Sequence, residues 1–301
     1  MSARTLSVRS TLEKVVVVKN DSTNYATRSS NDDSYNDNEH LEIISTSRRR
    51  CHRLLTSLRN FRHKYREPLA EFFATLIVVL LIDGLFLSLR IWSSQRLSGL
   101  AVLTAICLAG HVSGAHINPA ITLVFCWFGD FPGYKVPIYW FAQLVGGFCG
   151  AALLYPMILP AINRYDGGIR TVLGPTGTAG VFATYPPPYV SPTIAAFSEF
   201  IGTAVLAIVV LGSGNPQNIP FSSFQGVMVG IGLTAIILAF GYTSGFSLNP
   251  ARDFGPRVFT AIAGWGLDVF TVQNYYMFVP LFVPLVGATF GSVVYSVFID
   301  Q

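Results

Sequence analysis

Charge is what this sequence has least of. Of its 301 residues only 12% are charged while 51% are hydrophobic. An average soluble domain carries about 25% charged residues, and at half that density ions cannot cover the surface of a chain this size. An ordinary soluble globular protein is thereby excluded. The scarcity is uneven. Residues 1–66 hold 13 Lys+Arg against 7 Asp+Glu, a net of +6, whereas the much longer stretch 67–301 holds 7 against 9, a net of −2. The overall +4 belongs to one end of the chain, and a nucleic-acid partner for the whole of it is excluded. Cysteine is equally sparse. Of four, Cys107, Cys126 and Cys149 lie in apolar runs and Cys51 in a basic stretch, with no disulfide framework and no paired metal spacing. No cofactor is implied. Nothing near the N-terminus resembles a secretory leader, since Val15 to Val18 is too short for its apolar region and is followed by Lys19-Asn20-Asp21, so membrane insertion is expected to use an internal segment.

What is present is a set of long apolar runs behind a polar tail. Residues 1 to about 47, rich in Ser, Thr, Asn and Asp, cannot bury enough apolar surface to offset the entropy of ordering. The expectation is a disordered tail over residues 1–66, ending in a basic block of Arg48, Arg49, Arg50, Arg53, Arg59, Arg62, Lys64 and Arg66. Such a block just before a span places its side in the cytoplasm. It can also attract anionic lipid. The runs cover roughly 69–89, 98–114, 136–158, 192–212, 222–241 and 276–299. Each is near the length of about 20 residues that crosses roughly 30 Å of hydrocarbon. Six crossings return the C-terminus to the cytoplasm. Two shorter apolar pieces, 117–128 and 248–263, each open with the same tripeptide. At 1.5 Å per residue, 11 or 12 helical residues reach about 17 Å, half a bilayer.

The two halves of this region, about 67–160 and 190–300, repeat one another. Glu71-Phe72-Phe73-Ala74-Thr75 answers Glu199-Phe200-Ile201-Gly202-Thr203, and Asn118-Pro119-Ala120 answers Asn249-Pro250-Ala251. Leu144-Val145-Gly146 with Gly150 answers Leu285-Val286-Gly287 with Gly291. The matches stay in order while their spacing widens toward the end, so the second half carries a short insertion after its half-helix. With three crossings per half, the second half enters the membrane inverted. Short Pro-interrupted segments at matching places in two inverted halves point to a site at the membrane midplane.

The tripeptides explain why. Asn caps helices and Pro suits the first helical position, so each Asn-Pro-Ala starts a helix inside the membrane. A lone copy is an ordinary helix cap. Two at matching repeat positions, behind Ser113-Gly114-Ala115-His116-Ile117 and Ser244-Gly245-Phe246-Ser247-Leu248, indicate a pair of half-helices aimed at one spot. Each contributes about half a positive charge there, which repels cations and protons. The Asn side-chain oxygen can cap its helix while the NH2 group stays available to a passing hydroxyl or water.

Charges at this depth are few. A charged side chain inside a membrane costs at least about 2.5 kcal/mol and is a functional hypothesis by default. Arg252 is expected to line the pore, the alternative being a buried ion pair with Asp253. Asp253 is expected to anchor neighbouring donors. Glu71 and Glu199, related by the repeat, are expected to accept backbone N–H groups of the irregular segments before each half-helix, since such backbone survives at depth only when buried in protein or lining water. Acid catalysis by this pair is the less economical alternative. Asp83, which has no repeat partner, is expected at the membrane interface. His116 is grouped with the supports of the pore loops.

Over residues 67–300 these features resemble the aquaporin and glycerol-facilitator (major intrinsic protein) family. The match is to its aquaglyceroporin branch through Asn249-Pro250-Ala251-Arg252-Asp253, Phe254-Gly255-Pro256-Arg257, Phe182-Ala183-Thr184-Tyr185-Pro186, Gly264-Trp265-Gly266 and the insertion in the second half. The resemblance implies an all-α membrane protein: a right-handed barrel of six transmembrane helices with two re-entrant half-helices, one pore per subunit, four subunits together, in a plasma membrane. Glycerol, water and similar small uncharged solutes would pass, and cations would be turned away by the half-helix dipoles and an Arg. Four filter positions carry over as Arg252, Phe246, Ile237 (twelve before Asn249) and Ser98 (twenty before Asn118). Ile237 stands where water-selective members have His and glycerol-conducting members usually Gly, and Ser98 where a large aromatic is common. The segment from Glu71 to Asn118 is shorter than the family norm, leaving a short second helix with Arg96 near its outer end. Alternatives of the same shape are a strict water channel, an alternating-access transporter and a closed adhesive member; an enzyme has no nucleophile and base pair to work with.

Overall fold

The structure is a computed structural model that describes residues 52–53, 55–90 and 98–300, without the side chains of residues 86–90. The expectations for residues 1–51, including Arg48, Arg49, Arg50 and Cys51, and for Arg96 lie outside the described residues. The chain divides into two units, residues 1–59 and 60–301. In the first, the described residues 52–53 and 55–59 are helical and exposed. In the second, residues 60–64 are helical as well. Residues 52–53 and 55–64 are thus helical within the stretch expected to be a disordered tail. This stretch has no Gly or Pro to interrupt a helix.

Eight helices of the second unit frame the site: α1 (Arg66–Arg90), α2 (Ser98–Ser113), α3 (Pro119–Phe128), α4 (Val136–Asp166), α5 (Pro192–Gly214), α6 (Gln225–Ser244), α7 (Pro250–Thr260) and α8 (Phe278–Phe298). No strand occurs among the described residues. Five of these helices, α1, α4, α5, α6 and α8, are long and apolar enough to cross a membrane. The second expected span, α2, has 16 residues. Helix α4 runs well past its apolar run, because Asn163-Arg164-Tyr165-Asp166 continue the helix as polar turns until Gly167 stops it at φ 67°. The two pieces opened by Asn-Pro-Ala are the short helices α3, of 10 residues, and α7, of 11.

The repeat governs how the helices pack. Helix α1 lies on α4 as α5 lies on α8, while α2 meets α6 between the halves. Small residues make each crossing possible. A Cβ built on Gly146 or Gly150 of α4 would run into the carbonyl oxygens of Phe72 or Leu76 on α1, and one on Gly287 or Gly291 of α8 into those of Phe200 or Ala204 on α5. The Leu-Val-Gly repeat seen in the sequence is therefore a contact of backbone on backbone, the means by which helices associate where lipid offers no hydrophobic drive. Gly99 and Gly230, spaced in the chain as the two tripeptides are, meet each other at the α2–α6 crossing.

The insertion after α7 is built as one π-turn, Ala261–Trp265, and an irregular segment, Asp268–Tyr275. Trp265 packs edge-on against Phe182 and Tyr155, at ring separations of 5.7 and 5.8 Å. The inserted residues thus brace the loop between α4 and α5.

Replacing Gly150 or Gly291 by Val is expected to separate α1 from α4 or α5 from α8 and cost about 3 kcal/mol or more, the upper end of core overpacking. Gly84→Ala is the control, since its Cβ would meet only Leu154, at 3.6 Å. Thermal unfolding of the purified proteins in detergent checks this: a clear fall in Tm for both Val variants and none for the Ala variant is the expected pattern.

Candidate functional site

Helices α3 and α7 meet N-terminus to N-terminus. Asn118 is extended at φ −145°, and its side-chain oxygen accepts from Ala120 N at 2.8 Å. Asn249 does the same at φ −150°, accepting from Ala251 N at 3.0 Å and Arg252 N at 3.2 Å. Pro119 and Pro250 take the first helical positions, where a missing N–H leaves nothing unpaired. The amide nitrogens then cross over. Asn118 Nδ2 donates to Leu248 O (2.8 Å) and Asn249 Nδ2 to Ile117 O (3.0 Å), so each cap also holds the residue before the other cap. The expectation that both NH2 groups stay wholly available is corrected by this pair of bonds. Each NH2 has two N–H groups, and the second remains for the lumen.

The approach to each half-helix is backbone in an uncommon shape. Gly114, Ala115 and Ile117 have φ of 83°, 48° and 60°, and Gly245, Phe246 and Leu248 have 76°, 68° and 50°. Non-glycine residues held at positive φ cost about 1–3 kcal/mol each and need their surroundings to fix them. Two carboxylates supply that. Glu71 accepts from His116 N (2.8 Å), Ile117 N (2.7 Å), Ser113 Oγ (2.7 Å) and Gln143 Nε2 (2.7 Å). Glu199 accepts from Ser247 N and Leu248 N, both at 2.8 Å. A residue that no sequence pattern singled out completes each side: Tyr139 Oη–H donates to Ser113 O and Tyr276 Oη–H to Ser244 O, both at 3.0 Å, satisfying the last carbonyls of α2 and α6. The only hint was that each Tyr stands shortly before a Leu-Val-Gly. The His116 ring is stacked on Phe125 at 4.6 Å and faces Phe131 and Tyr139 at 4.7 and 5.0 Å.

Arg252 emerges one residue past the second tripeptide, 3% exposed. Its Nη1 donates to Phe182 O (2.9 Å), and its Nη2 lies 3.2 Å from Asp83 Oδ1. The alternative pairing with Asp253 is not formed, because successive residues on a helix do not face one another. Asp253 instead accepts from Thr184 N (2.7 Å) and Thr184 Oγ1 (2.5 Å) and pairs with Arg257, one turn on, at 2.8 Å. Arg257 extends the clamp, donating to Thr184 O (2.7 Å) and Val269 O (2.8 Å) with its guanidinium 4.4 Å from the Tyr185 ring centre. The loop 182–185 is thus fixed to α7 on both sides. Asp83 is a correction: expected at the interface, it is fully buried beside Arg252. The length of an apolar run gives depth but not the face a residue takes, and here α1 touches α7.

One cavity joins these parts. Both tripeptide asparagines, Arg252, Phe246, Ile237 and Ser98 line it, with His116 and Ser247. Much of the remaining lining is aliphatic, with Val78, Ile82, Val102 and Leu206 among it. Polar and apolar groups thus share one cavity, beside the meeting point of two helix N-termini. Such a cavity can hold a small molecule by its hydroxyls while its carbons lie on the apolar surface. The predicted sites Pro119, Ala120, Pro250 and Ala251 sit behind it as the buried first turns of α3 and α7.

Known proteins share this chain's pattern. The family model "Major intrinsic protein" matches residues 57–295. Aquaporin-2 of Rhizopus delemar is 52% identical over 267 residues, covering 86% of this chain and 84% of that protein. Aquaglyceroporin-2 of Rhizophagus irregularis is 40% identical over 244 residues, covering 78% and 77%. Among solved structures, the aquaglyceroporin from Plasmodium falciparum superposes with a TM-score of 0.69 at 31% identity, covering 78% of this chain and 96% of that one.

Glu199→Gln is expected to turn an amide NH2 toward backbone N–H groups that need an acceptor. The loss should be about 2 kcal/mol, the cost of a buried unpaired donor. Thermal unfolding in detergent should show a Tm lower by about 5 °C, and Glu71→Gln should behave alike because it holds the equivalent segment.

Proposed function

The chain belongs to the major intrinsic protein family, and from that premise we propose that it is a passive channel for glycerol and other small uncharged solutes together with water, excluding protons and ions. What carries the reading is the single cavity that joins both asparagine caps to Arg252, Phe246, Ile237 and Ser98. In the proposal these last four form the selectivity filter. Phe246 and Ile237 give the carbon chain of a polyol an apolar surface, and Arg252 offers its hydroxyls charge-assisted donors. Ser98 is small, which leaves room opposite, and Ile237 brings no polar group that would favour water alone. Cations meet two helix N-termini and an Arg in a region without bulk water, where such charges act strongly.

The remaining calls on location and assembly belong to the same proposal. Both termini face the cytoplasm, on the strength of the basic residues up to Arg66. The bilayer is the medium, since large apolar side chains such as Phe141, Met157, Ile231 and Val286 stand 60–74% exposed on the helices. Some of that surface is assigned to contacts between four subunits in a plasma membrane. A strict water channel is the second reading, favoured by the 52% identity to a relative named Aquaporin-2.

Stopped-flow light scattering on proteoliposomes separates the two. Glycerol and water flux both well above empty liposomes is the expected result; fast water flux with glycerol flux no greater than that of empty liposomes would select the water channel. In the same vesicles Arg252→Ala should raise cation or proton leak by about tenfold, as removal of one charge barrier worth about 1.4 kcal/mol would do. Unchanged exclusion would remove Arg252 from the barrier.

A further inference from the structure

A buried carboxylate stands behind the cavity wall rather than in it. Asp83 on α1 is fully buried and does not line the cavity, yet Arg252, which does, lies 3.2 Å from it. We propose that Asp83 is a positioning residue of the constriction: it draws the Arg252 guanidinium onto the α1 wall and offsets part of its charge, so that the opening stays wide enough for a polyol and does not attract anions. The proposal rests on the channel reading above.

Three observations support it. First, the guanidinium is held between two anchors, Asp83 on α1 and the Phe182 carbonyl on the loop after α4. Second, Asp83 has little else to do. Among the described residues neither of its oxygens accepts a hydrogen bond, and the contact with Arg252 is at ion-pair distance without the alignment of one. Asp253, by contrast, is taken up by Thr184 and Arg257. Third, both members of the pair break the internal repeat. Aligned on the tripeptides, Arg252 after Asn249 corresponds to Ile121 after Asn118. Aligned on the two glutamates, Asp83 after Glu71 corresponds to Leu211 after Glu199. Ile121 and Leu211 belong to one apolar cluster. A cation and an anion therefore stand together where the repeat-related positions hold two aliphatic residues. A buried charge tolerates this setting only with a close counter-charge, and the two departures from the repeat depend on each other.

The consequence is for selectivity. Without Asp83 the guanidinium keeps its hold on the Phe182 carbonyl but loses the pull toward α1, and its positive charge loses the offset this carboxylate gives. It should lean into the passage, narrowing it for glycerol more than for water, and attract anions.

The test is Asp83→Asn in proteoliposomes, measuring water and glycerol flux by stopped flow and leak of nitrate and of protons by entrapped dyes. The glycerol-to-water permeability ratio should fall by about fivefold, a modest change in pocket discrimination, while nitrate leak rises and proton leak does not. Asp83→Glu should restore most of the ratio. An unchanged ratio together with unchanged nitrate leak in D83N would overturn the proposal. Since D83N takes a counter-charge away from a buried cation, D83N/R252V closes the comparison. If D83N fails to insert, the double variant, which leaves neither charge behind, should insert and conduct water. Failure of both would mean that Asp83 acts on something other than Arg252, and would overturn the proposal too. Wild-type protein without glycerol flux would sink the glycerol reading instead, with nitrate leak in D83N still deciding the role of Asp83.

Discussion

The crossed bonds between the two asparagine caps are the constraint on which the rest of this structure depends. Each carboxamide caps its own half-helix through oxygen and holds the opposing approach segment through nitrogen, Asn118 to Leu248 O and Asn249 to Ile117 O. Two helix N-termini with like partial charges repel one another. Bringing them together in the middle of an apolar protein therefore needs direct ties, and these bonds are such ties. Once they are made, the positive φ values at Ala115, Ile117, Phe246 and Leu248 follow, because the chain must reverse direction within a few residues of each cap.

Everything around the junction supports it in duplicate. Glu71 and Glu199 take the backbone N–H groups that the reversed segments expose, and Tyr139 and Tyr276 take the carbonyls left at the ends of α2 and α6. The glycine crossings of α4 on α1 and α8 on α5 bring those carboxylates close enough to reach. The halves differ where charge selection is needed. Arg252, Asp83, Asp253 and Arg257 have no repeat counterparts of like charge, and they tie α7 to α1 and to the loop at 182–185.

Much of this was legible in the sequence, for a reason that lies in the repeat. A residue pattern that occurs twice in the same order points to itself: the Asn-Pro-Ala pair, Glu71 with Glu199, and Gly146 and Gly150 with Gly287 and Gly291 all stand out from the sequence alone. Features that occur once were harder. Asp83 looked interfacial because hydropathy reports how far along a span a residue lies and not which neighbour it faces. For Arg252, expected to line the pore, the sequence offers Asp253 next door as the alternative ion-pair partner, whereas the contact made joins residues far apart in the chain. The amide crossing was missed because sequence shows that an Asn can cap and donate, but not which carbonyl folding brings within hydrogen-bond reach. Tyr139 and Tyr276 do not stand out because tyrosines in apolar runs are common and their hydroxyl partners are invisible without the fold. The helical residues before Arg66 were missed because net charge outweighed their lack of helix breakers.

The central claim, that the two caps form one junction rather than two separate helix starts, is tested most directly by a double-mutant cycle on stability. Asn118→Ala, Asn249→Ala and the pair together would be compared by thermal unfolding in detergent. If the junction is a single unit, the double variant loses less than the sum of the single losses, by about 1 kcal/mol or more, as coupled residues in one hydrogen-bond network do. Losses that simply add would contradict it, leaving two independent caps that happen to face one another.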